Sequence, residues 1–214
     1  MSFRIREATN GDVEGIVRVV KAVYDEYGFT WDAEEYHADL YDPDGFYRNR
    51  GDVFLVAEGA GDGGDGSDGG DGGDILSALT STPASVTPVT SITSITSITI
   101  LGVVGLCFHE RIPGEAGKTI VHDGRVRAAG SDCSLERLYV HPDARRRGIG
   151  EALTREVVER AKKAGKSAME LWSDKRFGDA HRLYGRFGAV TIGDRICHDP
   201  DQSPEWGLLV RIDG

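Results

Sequence analysis

The stretch Leu135–Leu153, LERLYVHPDARRRGIGEAL, limits the fold of this chain more than any other part. Apolar and polar residues suit a strand over 134–140, and Pro142 stops it. Three arginines and two glycines then lead straight into a helix start near Gly148. Ile149, Leu153, Val157 and Ala161 recur every four residues along one helix face, and Gly165 closes that helix. The turn between strand and helix also carries chemistry. The first turn of a helix has unpaired N–H groups and a partial positive charge, which suit anionic phosphate oxygens. Gly148 and Gly150 lack a Cβ, so the backbone can approach a bulky diphosphate. Arg145 and Arg147 add full charges and forked donors.

The rest of the chain supplies a sheet around this unit. Residues 3–9 alternate as a strand, and Thr9 or Asn10 caps a helix. Val13, Ile16, Val17, Val20 and Val23 or Tyr24 line one face of that helix, and Gly28 ends it. A second, weaker helix is expected from about Asp32 to Leu40, its acidic start matching the helix dipole. Strands follow at 53–58 and 100–110, antiparallel neighbours once the residues between them are set aside. Residues 112–132 are a polar excursion with a small strand at Thr119–Val121. Further strands are expected at 134–140, 167–172, 189–196 and 206–212. A helix at 177–186 turns Ala180, Leu183 and Tyr184 inward. The order implies an α/β fold, a mixed sheet of about seven strands with four helices.

Composition changes abruptly at residue 59. GAGDGGDGSDGGDGGD at 59–74 contains almost nothing that can be buried, so it cannot offset its ordering entropy. A Ser/Thr/Pro tract with the repeat TSITSITSIT at 90–99 follows. The span 59–99 reads as a flexible insertion at a hairpin tip, within a single domain covering 1–214. The Gly-Asp tract lacks the regular apolar position of calcium-binding nonapeptide repeats, so no metal is expected.

Charge and cysteine usage exclude several functions. The net charge is −10, from 25 basic and 35 acidic residues, which argues against nucleic acid as a partner. Arg outnumbers Lys and Asp outnumbers Glu, a bias that suits a salt-adapted, halophilic source. No apolar run is long enough to span a membrane, and MSFRIREATNGD is not a secretory signal, so a cytoplasmic protein is expected. Cys107, Cys133 and Cys197 stand far apart, without a CxxC pair, and read as free thiols.

The anion motif is neither of two common ones. The third glycine of GxGxxG falls on Leu153, and no Lys-Ser or Lys-Thr follows Gly150, as a P-loop requires. The spacing Arg145-x-x-Gly148-x-Gly150 is similar to the R/Q-x-x-G-x-G/A signature of the GNAT superfamily of N-acetyltransferases. DAHRLYGRFGA at 179–189 resembles that family's A-x-x-x-Y-x-x-x-G helix, with Ala180, Tyr184 and Gly188 on matching positions. FRIREATNGDVEGIV resembles its first strand and helix. The resemblance covers nearly the whole chain apart from 59–99 and 112–132, and it implies a GNAT-like acyl-CoA N-acyltransferase fold.

It also implies a function, direct transfer of the acetyl group of acetyl-CoA to an amine without a metal. Backbone groups of Leu138, Tyr139 and Val140 match the bulged strand that pairs with the pantetheine arm and stabilises the tetrahedral intermediate. Pyrophosphate contacts fall on Arg145, Arg146, Arg147, Gly148, Ile149 and Gly150, mostly through N–H groups. Tyr184 matches the tyrosine that protonates the leaving thiolate. Phe177 stands where many members have Asn, and Ala189 where Phe is frequent.

A neutral amine must lose a proton, so a base is needed. Glu136, on one face with Leu138 and Val140 by period two, is a candidate, and so is His141 at the strand end. The resemblance also implies that the first two helices wall the acceptor side, where Asp25, Glu26, Asp32, Glu34, Glu35 and Asp39 suit a cationic amine. Ordinary surface charge explains those acids equally well. The acceptor is a small molecule, a protein N-terminus or a lysine, and dimerisation common among such proteins leaves a homodimer open. A catalytically inactive CoA-binding regulatory module on the same scaffold is the alternative reading. A nucleotide-binding domain of other chemistry is disfavoured by the missing third glycine.

Overall fold

Amphipathic helices cannot leave their apolar stripes in water, so the sheet must take them on its faces. The computed structural model describes residues 2–60 and 98–212. In chain order its elements are β1 (Phe3–Glu7), α1 (Val13–Tyr27), α2 (Pro43–Phe46), β2 (Val53–Ala60), β3 (Ile98–Phe108), β4 (Thr119–His122), β5 (Arg125–Ala128), β6 (Cys133–Val140), α3 (Ile149–Lys163), β7 (Ala168–Asp174), α4 (Gly178–Arg186), β8 (Val190–Ile196) and β9 (Pro204–Arg211). Seven strands form one mixed sheet in the order β1-β2-β3-β6-β7-β9-β8. Only β6 and β7 pair in parallel.

Two cores result. Ile149, Leu153, Val157 and Ala161 of α3 are fully buried on one face, with Leu135, Met169 and Leu171 of the sheet. Ile16, Val20 and Tyr24 of α1 pack on the other face with Leu40, Val56 and Val103. The apolar repeat of each helix thus selects the sheet face that it covers. Thr9 and Asp12 form a capping box before α1, and Gly28, with φ of 69°, caps its end.

The expected helix over 32–40 does not form. The Asp32 carboxylate accepts the N–H groups of Glu34, Glu35 and Tyr36, which makes a turn rather than a first helical turn. The helix lies later, at α2, where Asp42 caps Pro43 and accepts the Gly45 N–H. The polar excursion also contains one strand more than expected. Asp123 and Gly124 both adopt positive φ, 50° and 75°, so they close β4 and β5 into a two-residue hairpin. Glu170 of β7 latches it, accepting the Ala128 N–H at 2.7 Å and pairing with Arg127.

The hairpin expected from β2 and β3 forms, and its pairing runs to Ala60 opposite Ile98. The Gly-Asp tract and most of the TSIT repeat, with the question of calcium, lie outside the described residues. Among the described residues no helix is long and apolar enough to cross a membrane. The three cysteines are free thiols, with Cys133 and Cys197 buried.

Candidate functional site

The sheet splits in its middle. β6 and β7 pair only over Cys133–Leu135 with Met169–Leu171. Beyond that point they part, and a cleft of about 1370 Å³ opens between them. The cause is local to β6. Glu136 faces Gly105 and Tyr139 faces Val103, so Arg137 and Leu138 together oppose Val104 alone. Arg137 takes φ of 52°, which makes this a bulge that bends the strand.

The bulge changes which side chains face together. Regular alternation places Glu136 with Leu138 and Val140. Instead Leu138 and Val140 pack against the same core as Leu135, on the α3 side. Tyr139 packs on the α1 side. Glu136 stands beside Tyr47 of that same side, since a Cβ on Gly105 would lie 3.3 Å from the Glu136 Cβ and 3.0 Å from the Tyr47 ring. Arg137 also turns to the α1 side. It pairs with Asp39 at 2.9 Å and stacks over Tyr36.

At one end the cleft meets the start of α3. Gly148, with φ of 78°, is the N-cap. The amides of Gly148, Ile149, Gly150 and Glu151 have no hydrogen-bond partner among the described residues. Gly150 borders the cleft between Leu183 and Val140, each 3.5 Å from where a Cβ would stand. The three arginines divide. Arg145 borders the cleft, but its guanidinium is held in two bonds to Glu26, at 2.8 and 2.5 Å. Arg146 also borders it, with φ of 61°. Arg147 turns to a separate shallow groove with Arg18 and His141 and donates to the Asp143 carbonyl at 2.9 Å. The loop therefore offers two arginines to the cleft, not three. His141 lies in that second groove as well, apart from Glu136 and Tyr184.

Tyr184, on α4, is 5% exposed and lines the cleft. Its hydroxyl has no hydrogen-bond partner among the described residues. Burial, with Tyr139 and Glu136 nearby, raises its pKa, so the phenol stays protonated at neutral pH. Glu136 lines the cleft and is exposed there. Burial raises its pKa, against the lowering effects of Ser134, Arg137 and Arg195. It has no ion-pair partner among the described residues. Phe177, at the position of the expected Asn, packs edge-on against Tyr27 at 4.9 Å and Tyr139 at 6.4 Å. That position gives the cleft an aromatic wall in place of an amide.

The acidic wall is weaker than its sequence suggests. Only Glu26, Glu35 and Asp39 of the six acids line the cleft, and arginines neutralise Glu26 and Asp39. Asp25 pairs with Lys21, and Asp32 serves its turn. Residues that the sequence did not single out line the far end instead, namely Trp172, Arg195, Glu205 and the β4–β5 hairpin tip. Their own strands show only ordinary alternation, so only the hairpin dipeptide Asp123-Gly124 carried a readable signal.

A sheet split beside a bulged strand, with a glycine-capped helix start and a tyrosine in one cleft, is a specific arrangement. Residues 98–189 match the model of the Acetyltransferase (GNAT) family. That segment is similar to a GNAT domain. The GNAT match takes in β3, the bulged β6, the start of α3 and Tyr184. An uncharacterised N-acetyltransferase of Methanocaldococcus jannaschii is 41% identical over 54 residues, 25% of this chain. The chain spans about a quarter of that relative's length, 24%. A GNAT-family acetyltransferase of Staphylococcus aureus Mu50 shares the fold with a TM-score of 0.61 at 15% identity, covering 99% of this chain and 100% of its own. An acetyltransferase of Salmonella typhimurium, solved with acetyl-CoA, shares it with a TM-score of 0.57 at 15% identity, covering 100% and 96%.

Proposed function

We propose that the protein is an N-acetyltransferase that moves the acetyl group of acetyl-CoA to an amine by direct attack. The observation that carries this reading is the unpaired amide set of Gly148–Glu151, opening into the same cleft as Tyr184 and Glu136. Those amides and the helix dipole suit the diphosphate, and the residues present fit it, since Gly148 and Gly150 leave the backbone bare. Arg146 adds charge at the rim. Bound acetyl-CoA supplies the activated acyl carbon.

The remaining steps belong to side chains and backbone of this chain. The free edge of β6 at Leu138–Val140 suits the pantetheine arm, and its N–H groups suit the carbonyl oxygen as charge builds there. Glu136 takes the proton from the attacking nitrogen, helped by its raised proton affinity. Tyr184 holds a proton at neutral pH and gives it to the leaving sulfur.

Thiol release from acetyl-CoA over a panel of amines tests the reading. Acetylation of at least one amine is expected. Binding of acetyl-CoA without thiol release for any amine would instead favour the regulatory module, a reading that Phe177 supports by replacing a polar cofactor contact with an aromatic one.

A further inference from the structure

Resting on that reading of the cleft, we infer that the acceptor enters as a protonated alkylamine whose ammonium is held by Glu205 together with Glu136. Glu205 is the residue that geometry adds. Its strand partner in β7 is Asp174, and Trp172 pairs with Gly207 two residues on. Glu170, Trp172 and Asp174 thus share one sheet face with Glu205 and Gly207. Ser134 pairs with Glu170, so Glu136, two residues further along β6, belongs to that face at the split. Both carboxylates line the cleft.

The surroundings hold Glu205 in place without filling its bonding capacity. The side chain is about nine-tenths buried, with 10% exposure. Oε2 accepts from Arg195 Nε at 2.7 Å. Arg195 is fixed in turn, stacked over Trp172 at 4.2 Å and donating to the Val126 carbonyl at 3.1 Å. The Trp172 ring packs against Gly207, where a Cβ would come within 2.6 Å, so ring, guanidinium and carboxylate form one rigid wall. Oε1 of Glu205 has no partner among the described residues and is not among the buried atoms, so its open side is the cleft.

The charge count then asks for a cation. Arg195 pairs with Glu205 and Arg137 with Asp39, which leaves Glu136 without an ion pair of its own among the described residues. Glu136 is exposed to the cleft, and a carboxylate there without an ion-pair partner attracts a cation. An ammonium presents three donors, enough for both carboxylates at once. An alkyl chain behind it would lie along Trp172.

The test is a titration of the protein with butylammonium and with butanol, followed on the indole N–H resonance of Trp172. The inference expects saturable shifts with butylammonium and none with butanol at equal concentration. Glu205→Gln should weaken butylammonium binding by about tenfold or more while acetyl-CoA affinity stays unchanged. Equal responses to the two probes, or unchanged binding in Glu205→Gln, would overturn it. If that variant does not fold, the wild-type comparison decides alone. Failure here is separate from failure of the enzymatic reading: a protein that acetylates only uncharged amines keeps its activity and loses this acceptor site.

Discussion

The guanidinium of Arg145 lies flat against the carboxylate of Glu26, joined by bonds of 2.8 and 2.5 Å. A residue from the end of α1 therefore holds the arginine that begins the loop before α3. Both groups are partly exposed, 32% and 41%, so the pair itself adds little stability. Its consequence is for the ligand, because a carboxylate occupies the fork that a diphosphate would use.

Glu26→Gln should therefore tighten binding of coenzyme A. Surface pairs are worth about 0.2–1 kcal/mol, so the expected gain is about 1.4- to 5-fold in Kd at low salt. Calorimetry at two salt concentrations checks this. A weaker complex would mean that Glu26 positions Arg145 rather than competing with the ligand.

Arg137 and Asp39 make the opposite kind of pair, with only 14% and 15% of their side chains exposed. Removing one partner leaves the other charge buried. Arg137→Ala should cost about 3–5 kcal/mol and lower Tm by about 6–20 °C. A thermal melt that shifts by less than about 2 °C would show that the pair is not closed in solution.

Activity should depend on pH through Glu136. Burial raises its folded-state pKa above that of free glutamate, so the proton stays on to higher pH. The acidic limb of kcat/KM should lie above the ordinary carboxylate range, and activity should fall as pH drops through it. Stability has the matching sign: the raised pKa favours the folded state below the free glutamate pKa, and that contribution is lost as pH rises through the folded value. Arg137, Arg195, Glu170, Tyr184 and Cys107 surround the group and contribute to its position. Glu136→Gln should lower kcat/KM by about 100-fold or more and remove that limb. An unchanged limb in the variant sinks the assignment of the base.

The two glycines of the loop should respond differently. Gly148 adopts φ of 78°, so Gly148→Ala forces a left-handed alanine, at a cost of about 1–2 kcal/mol. Gly150 is helical, and a Cβ there meets Leu183 and Val140 at an ordinary 3.5 Å. Gly150→Ala should fold normally and lose less than about 0.5 kcal/mol. Urea denaturation of the two variants separates them, and equal losses would contradict the cap geometry.

These contrasts show which features are legible in the sequence alone. Helix faces were, because Ile16 and Val20, or Leu153 and Val157, repeat at helical spacing and one core selects them. The Arg145–Gly150 turn was, because glycine and arginine at that spacing meet few other needs. The orientation of Glu136 was not. A bulge at Arg137 leaves no mark in the alternation of SLERLYV, yet it reverses the facing of every later residue. The direction of the Arg147 side chain was not legible either, since charge in a sequence does not show which side of a turn it leaves by. Asp32 illustrates the ambiguity of acidic residues, whose carboxylates cap turns as readily as helices. Glu205 and Arg195 were invisible because their meaning depends on Trp172 and Glu136, which other strands supply.

On the proposed function, a diphosphate-bearing thioester fills the cleft between β6 and β7. A calorimetric titration with acetyl-CoA tests that most directly. It expects a one-to-one complex with Kd in the micromolar range, about −8 kcal/mol, and weaker binding in Gly148→Ala. Absence of binding up to millimolar acetyl-CoA would contradict it.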